Sequence, residues 1–349
     1  MAGAARVMGG PEAIAQGVRT LRAGGVVAFP TETVYGLGAN ALDADAVARV
    51  FALKDRPSDN PLIVHVADTA MAQRVVADWP EDARRLAERF WPGPLTLVLP
   101  KAPGVPDSVT AGGTTVGVRA PAHPLTLALI EAFGGPLVGP SANRSGRVSP
   151  TTPEHVADAF AGEDLLVLDG GACTRGIEST VLDLTADPPR VLRPGVITPG
   201  EIAAVLGRPV ETDAGADSAG APERAPGRLG PHYRPRSDTW LVPPSETLAP
   251  ALFARPKVVL STGGRARGWN IEHVFGIIVH EIQMPRTARE YAARLYAALH
   301  EADQHGCVIV IEEPPDADDS EYLTTDQPSR ALWAAIHERL LRAATPIEP

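Results

Sequence analysis

The chain has 349 residues, long for one domain and comfortable for two that each bury their own core. With 44% hydrophobic and 21% charged residues it is composed like a soluble globular protein, and its formal net charge of −10 argues against a protein whose main task is gripping nucleic acid. No run approaches the roughly 18 apolar residues of a membrane span, residues 1–10 lack a signal-peptide core, and Cys173 and Cys307 stand alone, so a cytoplasmic protein without structural zinc or a disulfide framework is expected.

Ile14, Val18 and Leu21 recur at helical spacing and stop at Gly24-Gly25, after which Val26 to Phe29 reads as a buried strand. The polar run Thr31-Glu32-Thr33-x-Tyr35 follows that strand, either as turn chemistry around Pro30 or at the ligand crevice that strand ends border in α/β proteins. Gly36 to Ala41 matches the loose G-x-G-x-x-A pattern, but the strand before it ends near Phe29, so a tight turn that needs glycine freedom is expected instead. Val47, Val50 and Phe51 mark a helix that begins near Asp43 or Asp45 and delivers Lys54 at its end. Strands are predicted at 62–66, 95–99, 115–119, 165–168 and 180–184, with helices near 69–77, 81–90, 123–133, 153–160 and 199–206. Such irregular connections predict an α/β fold with a mixed sheet. Residues 212–231 carry almost nothing that could be buried and read as a linker. Beyond it, strands at 257–261, 276–279 and 307–311 and a helix over 287–303, with Tyr291, Leu295 and Leu299 on one face, predict a smaller α/β domain.

Three lysines stand against 29 arginines, so Lys54, two residues before Arg56, looks chosen for its compact charge. The pair either suits an anion or is a solvated helix end, where a cation adds little to folding. Gly112-Gly113-Thr114-Thr115 and Arg119 lie at the two ends of one strand; the turn is either a hairpin or a cradle of amides for an anion, and Arg119 is either a surface residue or a fork for a carboxylate. No Walker sequence occurs, so an ATP user must hold phosphates another way.

Four motifs occur in order: Pro30-Thr31-Glu32-Thr33-Val34-Tyr35-Gly36-Leu37, Lys54-x-Arg56-Pro57-x-x-x-Pro61-Leu62, Pro140-Ser141-Ala142-Asn143-x-Ser145-Gly146 and Glu178-Ser179-Thr180-Val181. Together they resemble the YrdC domain of the Sua5/YrdC family of L-threonylcarbamoyladenylate synthases, and the tail resembles the second domain of the longer members. The resemblance implies a YrdC-like twisted mixed sheet with a central ligand cavity over 9–207, a linker or lid over 208–237, and a Rossmann-like domain over 238–349. It implies the joining of L-threonine, bicarbonate or carbon dioxide, and ATP with Mg2+, and passage of the product to the machinery that makes t6A in tRNA, with tRNA binding by this chain not required. It assigns catalysis to Lys54 and Arg56, which also contact ATP, and threonine binding to Thr33, His65, Arg119 and Ser179. Further ATP contacts fall to Asn60, Thr115, Ser141, Asn143, Ser149 and Arg193. The segment Gly230-Pro231-His232-Tyr233-Arg234-Pro235 matches the family only in part, with Tyr233 carried over as an ATP contact.

Two rivals differ in kind. A carbamoyl transferase of the hydrogenase-maturation type carries a similar domain but adds an acylphosphatase domain and Cys-rich zinc fingers, for which this chain has neither the length nor the cysteines. An RNA-binding or translation-associated module is opposed by the acidic balance.

Overall fold

The computed structural model describes residues 4–212, 232–242, 254–262, 277–314 and 327–344. Two compact units are present, Met1–Ser145 with Ser149–Leu229, and Gly146–Val148 with Gly230–Pro349.

In the first unit the described strands are β1 (Arg6–Met8), β2 (Val27–Phe29), β3 (Gly36–Asn40), β4 (Ile63–His65), β5 (Leu95–Pro100), β6 (Thr115–Arg119), β7 (Leu137–Val138), β8 (Leu166–Leu168), β9 (Thr180–Asp183), β10 (Arg190–Arg193) and β11 (Glu211–Thr212). They form one mixed sheet in the order β1-β8-β2-β3-β7-β4-β6-β5-β9-β10-β11. Helices α1 (Gly10–Arg22), α2 (Ala44–Lys54), α3 (Thr69–Ala72), α4 (Glu81–Phe90), α5 (Asp107–Thr110), α6 (Pro124–Phe133), α7 (Pro153–Ala159) and α8 (Pro199–Leu206) connect them. Most predicted elements are present, but α3 stops well short of the expected residue 77 and β1 carried no usable sequence signal.

Strand alternation sorts the side chains between two faces. One face sends Ala28, Leu37, Val64, Leu97, Val118, Val138, Leu182 and Val191 into the main core, against apolar residues of α2, α4, α7 and α8. On the opposite face the core is split. Val27, Phe29, Leu137, Leu166 and Leu168 pack against Ala13, Val18 and Leu21 of α1 and Leu129 and Ile130 of α6. Farther along the sheet that face holds a small cluster of Ile63, Val98, Val181 and Leu192, drawn from strands alone. This half of the face, which has no helical layer from the first unit's described residues, is where Thr115 and Arg119 of β6 must point.

The run Gly36 to Asn40 is a strand, not the tight turn expected from sequence, and it pairs antiparallel with β2. Neither Gly36 nor Gly38 uses a left-handed backbone. They are glycines because the Phe29 ring lies across β3: a Cβ at either position would come within 2.7 Å of a ring carbon. Close approach, rather than φ freedom, is the constraint. Gly112 (φ +76) does use that freedom, just after Ala111 (φ 51) closes α5. The connection between β5 and β6 is therefore longer than a hairpin.

The second unit holds β12 (Thr239–Val242), β13 (Lys257–Ser261), β14 (Ile278–Gln283) and β15 (Val308–Glu312), all parallel in the order β12-β15-β13-β14. Helix α9 (Ala288–Asp303) is capped by Thr287 and buries Tyr291, Leu295 and Leu299, the face predicted for it; α10 (Gln327–Ala343) packs beside it. An all-parallel sheet whose β14–β15 connection is the helix α9 is the Rossmann-like arrangement expected. Of the expected linker, residues 213–231 lie outside the described residues; Glu211 and Thr212 form the edge strand β11, and 232–237 belong to the second unit.

The Phe29 contact gives a first prediction. Gly38→Ala drives a methyl into the ring and lowers stability by about 1–3 kcal/mol, the usual cost of overpacking. Urea denaturation of Gly38→Ala alone and combined with Phe29→Leu is the check: the smaller residue returns part of the loss, and equal loss in both backgrounds contradicts the steric account.

Candidate active site

Helix α2 begins at Asp43, whose carboxylate accepts from the amides of Asp45 and Ala46, and ends at Asp55 in the left-handed region (φ 52). This short helix carries Lys54 to a position where it is 1% exposed, not the solvated helix end that sequence left open. Its Nζ donates to Ser141 O at 2.5 Å, Asn143 O at 2.7 Å and Asn143 Oδ1 at 3.5 Å. Return bonds run from the same loop to the helix end: Ser145 N donates to Lys54 O (2.8 Å) and Arg144 Nη1 to Leu53 O (2.6 Å). Helix end and Ser-x-Asn loop thus satisfy each other's orphan groups. Burial, reinforced by Arg56 and Arg144, pushes the Lys54 amine well below its ordinary pKa, yet three acceptors around one nitrogen favour the ammonium form. The expectation that Lys54 adds little to folding is corrected.

Arg56 donates to Asn60 O (3.3 Å), Asn60 Oδ1 (2.5 Å) and Pro61 O (3.0 Å), so Arg56 and Asn60 form one buried unit leading into β4. The register of β4 and β6 sets His65 beside Arg119. Arg119 is 3% exposed; its Nε donates to Gly93 O (3.1 Å) and its Nη2 to Thr33 Oγ1 (3.0 Å), and Nη2 lies 2.8 Å from Glu32 Oε1. It is neither a surface residue nor unpaired.

Donor counting fixes what Thr33 can do. Thr31 gives its only hydroxyl proton to Val34 O (2.6 Å), so in the 2.8 Å contact between the two hydroxyls Thr33 is the donor. With its proton spent, Thr33 Oγ1 can only accept from a ligand, which suits an ammonium or a hydroxyl and not a carboxylate. His65 is 2% exposed and burial beside Arg119 holds its pKa down to about 3, a neutral imidazole. Its Nδ1 has no hydrogen-bond partner among the described residues, and the ring rests on Gly139, where a Cβ would sit 2.5 Å from Nδ1.

Ser179 stands just before β9. Its hydroxyl is 2.9 Å from Thr96 Oγ1 and accepts from Arg193 Nη2 (3.2 Å), while Arg193 also grips the Ser179 carbonyl from Nε (3.1 Å) and Nη2 (3.0 Å). Ser149 donates to Glu178 at 2.7 Å. A small pocket opens on the same face, lined by Pro61, Ile63, Thr96, Thr115, Gly117 and Val181. Thr115 thus sits at the pocket and Arg119 at the other end of the same strand face. The amide cradle offered by Gly112-Gly113 is not formed, because those amides donate to Asp107 O and Thr110 O.

The structure therefore gathers Thr33, His65 and Arg119; Ser179 with Arg193; Lys54 with Ser141 and Asn143; and Arg56 with Asn60. Tyr233 lies in the second unit, 5% exposed with φ 64, its ring stacked on Tyr296 at 5.3 Å and the Arg339 guanidinium 6.0 Å from its centroid. Sequence reasoning left Glu32, Thr96, Gly139 and Glu178 without roles. Glu32 and Glu178 were visible inside motifs, whereas nothing local distinguishes a strand threonine such as Thr96. Among the described residues no group of three His, Cys, Asp or Glu side chains could cage a metal, and no helix is long and apolar enough to cross a membrane.

A mixed sheet that fixes arginines, hydroxyls and a neutral imidazole, all buried, on one face, followed by a parallel-sheet domain, defines a two-domain α/β enzyme for small polar ligands. Comparison with known proteins narrows the class. The Sua5/YciO/YrdC profile, described as telomere recombination, matches residues 19–195, and that of the threonylcarbamoyl-AMP synthase C-terminal domain matches 197–345. The chain is 42% identical to the threonylcarbamoyl-AMP synthase of Pyrococcus abyssi over 84% of its own length and 86% of the relative's, and 40% identical to that of Bacillus subtilis over 95% and 92%. The crystal structure of P. abyssi Sua5 complexed with L-threonine superposes with a TM-score of 0.81 at 37% identity over 97% of each chain. The chain belongs to the Sua5/YrdC family of threonylcarbamoyl-AMP synthases.

Two predictions follow from the buried groups. Lys54→Ala strands at least two carbonyls at about 1–3 kcal/mol each, so chemical denaturation shows a loss of about 2–5 kcal/mol, and amide exchange accelerates first in residues 141–145. A fully stable variant contradicts the clamp. For His65, a folded-state value near 3 against an ordinary 6.5 means that the unfolded chain binds the proton first. Its contribution to stability is complete above pH 6.5 and is lost as pH falls from 6.5 toward 3, at up to about 1.4 kcal/mol per pH unit. His65→Gln flattens the acid limb of stability against pH; an unchanged limb contradicts a buried neutral imidazole.

Proposed function

We propose that this chain makes L-threonylcarbamoyl-adenylate from L-threonine, bicarbonate or the carbon dioxide in equilibrium with it, and ATP, with release of pyrophosphate. The observation that carries this reading is the cluster of Arg119, Thr33 and neutral His65 in a fold shared, nearly end to end, with a Sua5 that binds L-threonine. Arg119 meets the amino-acid carboxylate, the accepting Thr33 hydroxyl takes its ammonium or hydroxyl, and Ser179 closes the pocket. Thr115 and Asn60 border the nucleotide side, with Arg56, Arg193, Ser141, Asn143 and Ser149 toward the phosphates. Tyr233 is retained as an ATP contact.

In the reaction, threonine's ammonium loses a proton to solvent, the amine attacks carbon dioxide and sheds a second proton to solvent as the carbamate forms; a carbamate oxygen then attacks the α-phosphorus and pyrophosphate leaves. No covalent enzyme intermediate is needed. The protein's part is to hold two anions in line and offset their charge with groups already fixed. Arg56 supplies positive charge there, and Lys54 acts by clamping the loop that carries Ser141 and Asn143. Magnesium enters with ATP as part of the substrate. The product serves t6A formation in cytoplasmic tRNA, through a separate transferase.

Pyrophosphate release from ATP tests the reading. Release depends on both L-threonine and bicarbonate, and Arg56→Ala lowers it by about two to three orders of magnitude, the scale of one preorganised charge. Equal release without threonine would overturn the assignment.

A further inference from the structure

Glu32 lies inside the first motif but is not among the residues assigned to threonine or ATP. It is 6% exposed and faces Arg119, which is 3% exposed. Its Oε2 accepts from Ala122 N at 3.0 Å, just beyond the end of β6, and its Oε1 lies 2.8 Å from Arg119 Nη2 without the alignment of a hydrogen bond. Its backbone oxygen accepts from Arg175 N at 2.7 Å, so the residue is tied on both ends. Burying such a pair gives little net stability against an apolar replacement, so stability alone does not account for it.

Two consequences are specific to this geometry. With Nε on Gly93 and Nη2 on Thr33 and Glu32, the guanidinium cannot swing, and Nη1, which makes no hydrogen bond among the described residues, is the nitrogen left to meet a ligand. The pair is also electrically closed. Three titratable groups that sense the pair are held neutral by burial: His65 down to about 3, His123 below its ordinary value, and the Cys173 thiol up to about 12. None of the three adds charge to the one carboxylate and one guanidinium of the pair.

Resting on the reading of Arg119 as the carboxylate contact, we infer that Glu32 is the specificity-determining residue of the threonine pocket: it positions Arg119 and balances its charge, so that the pocket selects a zwitterionic amino acid over a carboxylic acid without the ammonium. An unbalanced buried arginine attracts any small carboxylate. A balanced pair leaves no net attraction for an anion, and the ligand must bring its own positive charge against Glu32 and the accepting oxygen of Thr33.

The test is calorimetric binding of L-threonine and of 3-hydroxybutyrate, the same skeleton without the amine, to the full chain. The native chain prefers threonine by about 100-fold or more; Glu32→Gln shrinks that preference at least tenfold, chiefly by tighter 3-hydroxybutyrate binding, and Glu32→Asp restores most of it. A merely structural role weakens both ligands together and leaves the ratio alone, which overturns the inference. Arg119→Ala separates this from the reading beneath it: if threonine binding survives that change, the carboxylate contact itself is wrong. Should Glu32→Gln not fold, the native chain still decides, since 3-hydroxybutyrate binding within about threefold of threonine rules out a charge-balanced pocket.

Discussion

The ammonium of Lys54 is the contact on which the rest of the candidate site depends. It is a full charge at 1% exposure with no ion pair among the described residues, held by three oxygens of Ser141 and Asn143. Such a group is tolerable only where the backbone dipoles around it are fixed, and here they are fixed by return bonds from Arg144 and Ser145 to the helix end. The loop is further tied down where Leu37 N donates to Pro140 O and Ala142 N to Tyr35 O. The first motif, the Lys-x-Arg segment and the Ser-x-Asn loop are in this sense one object. A lysine is needed because three donors radiating from one atom match three converging oxygens, which a planar guanidinium does not.

The sheet supplies the second constraint. Helices α1 and α6 cover only part of one face, so the alternation that buries Val116 and Val118 leaves Thr115, Gly117 and Arg119 facing a region floored by strand side chains. Polar groups there are preorganised by one another: Arg119 by Gly93, Thr33 and Glu32, and Arg193 by Ser179. Charges fixed before a ligand arrives need no reorganisation during reaction, the condition under which electrostatic stabilisation is most effective.

Much of this was legible in the sequence because local pattern and tertiary role agree. Asp43 to Lys54 reads as a capped helix and is one, and the strands at 95–99 and 115–119 alternate or run apolar as buried strands do. Gly36 to Asn40 misled because glycine signals turn freedom and close approach alike, and only the Phe29 ring, brought over by β2, decides between them. The burial of Lys54 was hidden for the same reason: its acceptors lie 87 and 89 residues away. The resemblance named the residues, but not that Lys54 would spend all its donors on the protein, nor that Thr33 would be left only able to accept.

A crystal structure with L-threonine and a non-hydrolysable ATP analogue tests the central claim, that Lys54 holds the loop and leaves the phosphates to other groups. The account predicts Lys54 Nζ still within hydrogen-bonding distance of Ser141 O and Asn143 O, with the phosphates met by Arg56, Arg193 and the loop itself. A Lys54 side chain that has left those carbonyls to contact a phosphate would contradict it.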